Sequence, residues 1–169
     1  MTLDEEVTLE PHDPKWAESY ETEGLKLLEA FGDSVREIEH IGSTAVAGLV
    51  ANPIIDVMVG VDSLEAVSHH VVSLQQIGYE YMGEAGVEER FFFRKRDGQA
   101  FDVSVVVYQG ERWRRNLLFR DYLREHPEEA ERYGELKQRI VEENGIDRSA
   151  EYSDRKSAFI DEVIERAES

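Results

Sequence analysis

Cysteine is absent from this 169-residue chain. Disulfides, thiolate metal sites and a cysteine nucleophile are therefore excluded. Lysine is scarce: it supplies 5 of the 19 basic residues, leaving 14 arginines. No apolar run approaches the roughly 20 residues needed to span a bilayer. The opening MTLDEEVTLE is acidic and lacks the basic-then-apolar order of a signal peptide. There is no Ser/His/Asp triad and no HExxH motif. There is also no Walker A loop, since Gly42 is not followed by Gly-Lys at the required distance. No repeat, low-complexity stretch or linker interrupts residues 1–169, so one cytoplasmic domain without membrane association is expected. The 41% apolar content is enough for a core.

Acid is abundant. Asp and Glu number 37 against 19 Lys and Arg, giving a net charge of −18 spread along the whole chain. A diffuse acidic surface poor in lysine fits a high-salt cytoplasm, where screening makes self-repulsion tolerable. An acidic mesophilic protein is the plainer alternative. Either way the charge makes nucleic acid an unfavourable partner. An anionic ligand needs a local basic patch.

Val7–Glu10 reads as a short strand, and Asp13-Pro14 opens a helix carrying Trp16, Tyr20, Leu27, Leu28 and Phe31 to a stop at Gly32. Val35–Ile41 reads as a strand, residues 43–50 as one helical turn, and 53–61 as a second strand. Asp62 and Glu65 fit a capping box for a helix with the stripe Leu64, Val67, Val71, Leu74 and Ile77. His69 and His70 belong to its wet side. Strand-like runs follow at Tyr79–Gly83, Arg90–Lys95 and Ala100–Tyr108, with a hairpin signal at Asp97-Gly98. Helices are expected over 112–125, 128–143 and 153–167, broken at His126-Pro127 and at Asn144-Gly145. Trp16 and Trp113 suit a core. The fold class is α/β (α+β): a mixed sheet flanked by helices, with a helical C-terminal segment.

The stretch IGSTAVAGLVANPIIDVMV, residues 41–59, carries the chemistry. In the second strand Ile55, Val57, Val59 and Val61 face a core, while Asp56, Met58 and Gly60 face the other way. An acid one strand away from Gly42-Ser43 suits phosphates held by backbone N–H groups and a divalent cation held by Asp56. A plain turn beside a solvated aspartate has the same pattern. In Phe101–Tyr108, Asp102 alternates in the same way. If that strand pairs beside 53–61, the two acids share a face and can hold one Mg²⁺. ERWRRNLLFRDYLRE is the basic island, with Arg120 and Arg124 one helical turn apart. They suit bidentate phosphate contacts, or a lattice of surface ion pairs. His40 either touches a ligand beside the turn or is a satisfied, half-buried histidine.

HDPKW at 12–16, IEHIGSTAVAGLVANPIIDVMV and LLFRDYLREHPEEAERYGELK, in that order, resemble the GrpB family, and YSDRKSAFI extends the likeness. The family looks like a branch of the nucleotidyltransferase superfamily, and related domains occur fused to dephospho-CoA kinase. The resemblance implies a Gly-Ser turn, a metal-binding acid on the next strand and a further acid on a later strand. These map onto Gly42, Ser43, Asp56 and Asp102. The chain departs from the pattern at Met58, where superfamily enzymes carry a second acid. Ala47 and Asn52 replace a common Pro and Lys, and Asp102 and Ser104 replace a His-x-His pair.

The expected function is transfer of a nucleotidyl group from an NTP to an acceptor with Mg²⁺ (or Mn²⁺). Asp56 and Asp102 are the catalytic and metal-binding residues. Gly42, Ser43, Thr44, Arg120, Arg124 and His40 hold the nucleotide. A non-catalytic module for a nucleotide, CoA-like or other phosphorylated small molecule is the second reading. A structural partner acting through its acidic surface is the third.

Overall fold

The computed structural model describes residues 7–85, 89–144 and 149–168. Helix α1 (Lys15–Phe31) leads through a 3₁₀ turn into β1 (Val35–Ile41). A 3₁₀ turn at Ser43–Ala45 precedes β2 (Ile54–Val61). A 3₁₀ stretch, Leu64–His70, runs into α2 (Val71–Gln76). Then come β3 (Glu80–Tyr81), β4 (Phe91–Lys95) and β5 (Ala100–Val107). The chain closes with α3 (Glu111–Glu125), α4 (Pro127–Asn144) and α5 (Ser149–Glu168). Among the described residues no helix is long and apolar enough to cross a membrane.

The sheet order is β1-β2-β5-β4-β3. Only β2 and β5 run parallel; the other neighbours are antiparallel. This mixed sheet with flanking helices has the expected class. One face packs Ile55, Val57 and Val59 of β2 with Val103 and Val105 of β5 against α1 and α2. On the other face, which carries Asp56, α3 lays Trp113 across Met58, Ile41 and Val106, and Met58 is fully buried. Gly60 makes this possible, because a Cβ there would sit 2.8 Å from the Trp113 ring. A third cluster joins Val46 and Leu49, just after the Gly-Ser turn, to Leu123 of α3, Tyr133 of α4 and Phe159 of α5. The C-terminal helices are thereby fixed over the turn.

Several local expectations shift. Val7–Glu10 is not a strand; Glu10 makes a single antiparallel bridge to Ala51. Ser63, not Asp62, accepts from the Glu65 N–H, because Asp62 is turned to Arg36 at 2.7 Å. His70 leaves the wet side, bonding Ser34 Oγ at 2.7 Å and tilting against Phe31. β3 is shorter than the Tyr79–Gly83 run. The β4–β5 loop exceeds a two-residue turn because Lys95 pairs with Phe101. Arg96 closes it by donating to the carbonyls of Lys95 and Phe101. The break at Pro127 stands where proline disfavours α geometry in the residue before it. His126 accordingly takes φ −126°, ψ 78°. The expected stop at Gly145 lies outside the described residues.

Candidate functional site

Asp56 and Asp102 are direct partners across the parallel β2–β5 ladder, so their side chains leave the same face on neighbouring strands. Gly42 closes over Asp56. Its φ of 75° lies in the left-handed range. A Cβ added there would stand 2.4 Å from Asp56 Oδ2. The carboxylate is therefore packed under the turn backbone, which only a residue without a Cβ permits. Burial pushes the Asp56 carboxyl up to about 7, and the adjacent Asp102 charge pushes the same way. Asp102 differs: its Oδ1 accepts from Arg96 Nη2 at 2.8 Å. Two neighbouring carboxylates, one of them pushed toward its neutral form, invite a cation.

Helix α4 supplies a group that motif reading missed. Lys137 is 1% exposed, and its Nζ donates to Ser43 Oγ at 2.6 Å. Burial, then the nearby Lys156 charge, pulls its pKa well down; Asp56 pulls the other way. The ammonium also lies over the Tyr133 ring, 4.7 Å from its centroid. A signal was present in the sequence. Ala130, Tyr133, Lys137 and Ile140 follow the three-four spacing of an apolar stripe, so a lysine stands at a core position. Lys156 of α5 and Arg96 and Arg90 around β4 also act favourably on the Asp56 charge. None of these four cations was singled out from the sequence.

The other expected ligand residues are committed elsewhere. His40 pairs in register with Val57, so it shares the core face, not the acid face. It stacks on Tyr20 with centroids 4.8 Å apart and shares a 2.9 Å hydrogen bond with Thr44 Oγ1. Burial, then Arg124 and Arg120, lowers its pKa to about 4. His40 and Thr44 thus brace the turn from behind. Arg120 Nη1 donates to Glu39 Oε1 at 2.6 Å and to the His40 carbonyl at 3.0 Å, and its Nε donates to Asp121. Arg124 Nε donates to the Ala45 carbonyl at 2.9 Å. Both arginines clamp α3 to the backbone around the turn, where they were expected to face phosphates. Arg114 and Arg115 make exposed pairs with Glu168 and Asp161.

The site therefore contains Gly42, Ser43, Asp56, Asp102 and Lys137. Among the described residues no group of three or more His, Asp or Glu side chains gathers as a metal cluster. The donor set fits one hard cation: two carboxylates suffice for Mg²⁺ when substrate phosphates and waters complete the shell. The same face offers no further acid on β2, because Met58 follows Asp56 there and is buried under α3.

A model of the GrpB family, described as GrpB protein, matches residues 6–166. The chain is 32% identical over 165 residues to the glutamate-rich protein GrpB of Alkalihalophilus pseudofirmus, covering 94% of both. It is 36% identical over 161 residues to the UPF0157 protein YqkA of Bacillus subtilis, covering 93% of this chain but only 45% of that protein. The solved structure of the conserved protein GrpB from Enterococcus faecalis is similar with a TM-score of 0.86 at 35% identity, covering 95% of this chain and 96% of that one.

Proposed function

The chain belongs to the GrpB family, and from that premise we propose that it transfers a nucleotidyl group from a nucleoside triphosphate to an acceptor. The observation that carries this reading is Lys137: a buried lysine on the serine of a Gly-Ser turn, beside a pair of facing acids. A buried ammonium lacking a full countercharge is costly, and a polyphosphate provides one. Ser43, Lys137 and Lys156 hold the phosphates. Asp56 and Asp102 would hold Mg²⁺ (or Mn²⁺), which supplies charge neutralisation at the reacting phosphate. In the transfer, an acceptor oxygen bonds to the α-phosphorus and the bond from that phosphorus to the α–β bridging oxygen breaks. Pyrophosphate leaves with the electron pair. The acceptor's proton passes to the Asp56–Asp102 carboxylate pair. Positioning and preorganised charge do most of the work.

One observation favours a second reading, a binding module for a nucleotide or CoA-like ligand without turnover: the buried Met58 leaves the site one acid short. Pyrophosphate release separates the two.

The binding premise is tested by calorimetric titration of ATP, GTP, CTP and UTP with and without Mg²⁺. Asp56→Asn is expected to abolish the Mg²⁺-linked part of the affinity while keeping the melting temperature. Lys137→Met should weaken triphosphate binding about 10- to 150-fold, the loss of one charge-assisted contact. It should leave stability unchanged or higher, because a buried charge is replaced by an apolar chain. Triphosphate affinity unchanged in Lys137→Met would overturn the phosphate assignment.

A further inference from the structure

The cations around the acid pair fall in two groups, because the sheet order puts β1 beside β2 and β4 beyond β5. Lys137 bonds Ser43, just after β1, and the Lys156 charge acts on it. The second group belongs to β4, beyond Asp102. Arg90, Phe92 and Arg94 recur at period two in RFFFRKR. Phe92 pairs with Ser104 and Arg94 with Asp102, so the stripe shares the acid face. The Arg90 guanidinium stacks over the Phe92 ring, 4.6 Å from its centroid. Its Nη2 donates to the carbonyls of Glu84 and Ala85. Its Nε is closed off from solvent and makes no hydrogen bond among the described residues. Arg112, from the first turn of α3, adds a like charge close enough to depress the Arg90 pKa, second only to burial. Acids are present too: Glu80 lies 3.6 Å from Arg94, and Glu84 Oε2 accepts from the Glu89 N–H.

A displacement at phosphorus sets attacking and leaving oxygens roughly in line. With pyrophosphate leaving toward Lys137, the acceptor approaches from the opposite side, past Asp102 toward β4. An uncharged acceptor would leave the Arg90 Nε, which makes no hydrogen bond among the described residues, without an acceptor oxygen. We propose that the acceptor is a phosphomonoester-bearing small molecule whose phosphate docks on the Arg90 guanidinium where it lies over the Phe92 ring. This rests on the nucleotidyl-transfer reading above. Arginine suits such a phosphate because its planar fork makes paired hydrogen bonds. The acceptor is a small molecule, not a nucleic acid, because a chain of net charge −18 repels an extended polyanion.

Phenyl phosphate is the probe: it carries a phosphomonoester on a small uncharged body. Its binding is followed by titration calorimetry on the full chain, with and without Mg²⁺ and a non-hydrolysable ATP analogue. Wild type is expected to bind it under both conditions, and phenol not to bind. Arg90→Gln should weaken phenyl phosphate at least 10-fold while analogue affinity changes less than twofold. Arg90→Lys, which keeps the charge, should recover part of the loss and guards against misfolding. Lys137→Met should do the reverse, losing the analogue and keeping phenyl phosphate. Equal binding of phenyl phosphate by Arg90→Gln and wild type would overturn the subsite. So would Arg90-dependent binding of a ten-nucleotide RNA tighter than phenyl phosphate, since the acceptor would then be nucleic acid. Failure of the donor reading shows separately, as wild type that binds phenyl phosphate but no Mg²⁺-dependent analogue.

Discussion

Gly42→Ala tests whether the turn backbone holds the Asp56 carboxylate. Two costs are expected. The first is conformational: φ 75° with ψ −172° is a combination that only glycine adopts readily, and forcing alanine into it costs about 1–3 kcal/mol. The second is steric. The new Cβ would stand 2.4 Å from Asp56 Oδ2 and 3.2 Å from both Asp56 Cβ and Cγ. The carboxylate must swing off its rotamer, at about 0.5–1.5 kcal/mol. Together the loss is about 1.5–4.5 kcal/mol, or a fall in melting temperature of about 3–18 °C for a chain of this size. A double-mutant cycle separates the two. In an Asp56→Ala background the Oδ2 and Cγ contacts vanish, while the Cβ contact and the backbone strain remain. Gly42→Ala should then cost about 1 kcal/mol less than in wild type. Urea unfolding of the four proteins at one fixed high KCl concentration gives the coupling. Additivity within about 0.3 kcal/mol would mean that the turn and the carboxylate do not touch, and the packing of the site would have to be redrawn.

Arg120 now has a different expectation from the one its spacing gave. Its side chain is enclosed and bonded to Glu39 and the His40 carbonyl. Arg120→Ala should therefore cost about 2–4 kcal/mol in urea unfolding and change triphosphate affinity less than threefold. Arg115→Ala, an exposed pair, should cost under about 1 kcal/mol. His40 predicts a pH dependence. Its ordinary value of 6.5 is lowered to about 4 in the fold. Between those values the unfolded chain holds a proton that the native state lacks. The His40 contribution is therefore complete above pH 6.5 and is lost as pH falls toward 4, by at most about 3 kcal/mol. His40→Gln should flatten that slope, and an unchanged slope would refute the assignment. Finally, melting temperature should rise in KCl from about 0.1 to 2 M, as the Debye length shrinks from about 10 Å at 0.1 M to about 3 Å at 1 M. A flat midpoint, or an equal rise in sorbitol, would remove the halophilic reading.

Strands β1, β2, β4 and β5 and helices α1, α3, α4 and α5 were legible because each combines a clear period with a stop signal. The 3₁₀ stretch Leu64–His70 was not, since its apolar spacing also fits an α-helix and tertiary contacts decided between them. The facing of Asp56 and Asp102 followed from alternation once β2 and β5 were taken as neighbours. What alternation cannot reveal is the cover above the acid face. Trp113 comes from an element about fifty residues away in sequence, and only its docking makes Met58 core. The same holds for Arg120. A basic helix face looks alike whether it meets a phosphate or a backbone carbonyl, and the deciding contact to His40 spans the chain from α3 to β1. Lys137 differs, because an isolated lysine on an apolar stripe is a local anomaly visible without any structure.

The charge distribution sets how such a site must work. At long range a chain of charge −18 repels a triphosphate and attracts its Mg²⁺. At contact range Lys137 is enclosed by protein, and Ser43 orients it. Within a low-dielectric surround its attraction for a phosphate far exceeds that of a solvated lysine. The two effects respond oppositely to salt. Screening removes the long-range repulsion within a Debye length of about 8 Å at physiological ionic strength, while a dehydrated ion pair is little affected. For the proposed nucleotide, added salt therefore acts on its approach more than on its grip. An acidic protein can hold a polyanion in this way, provided a lysine such as Lys137 is kept out of water.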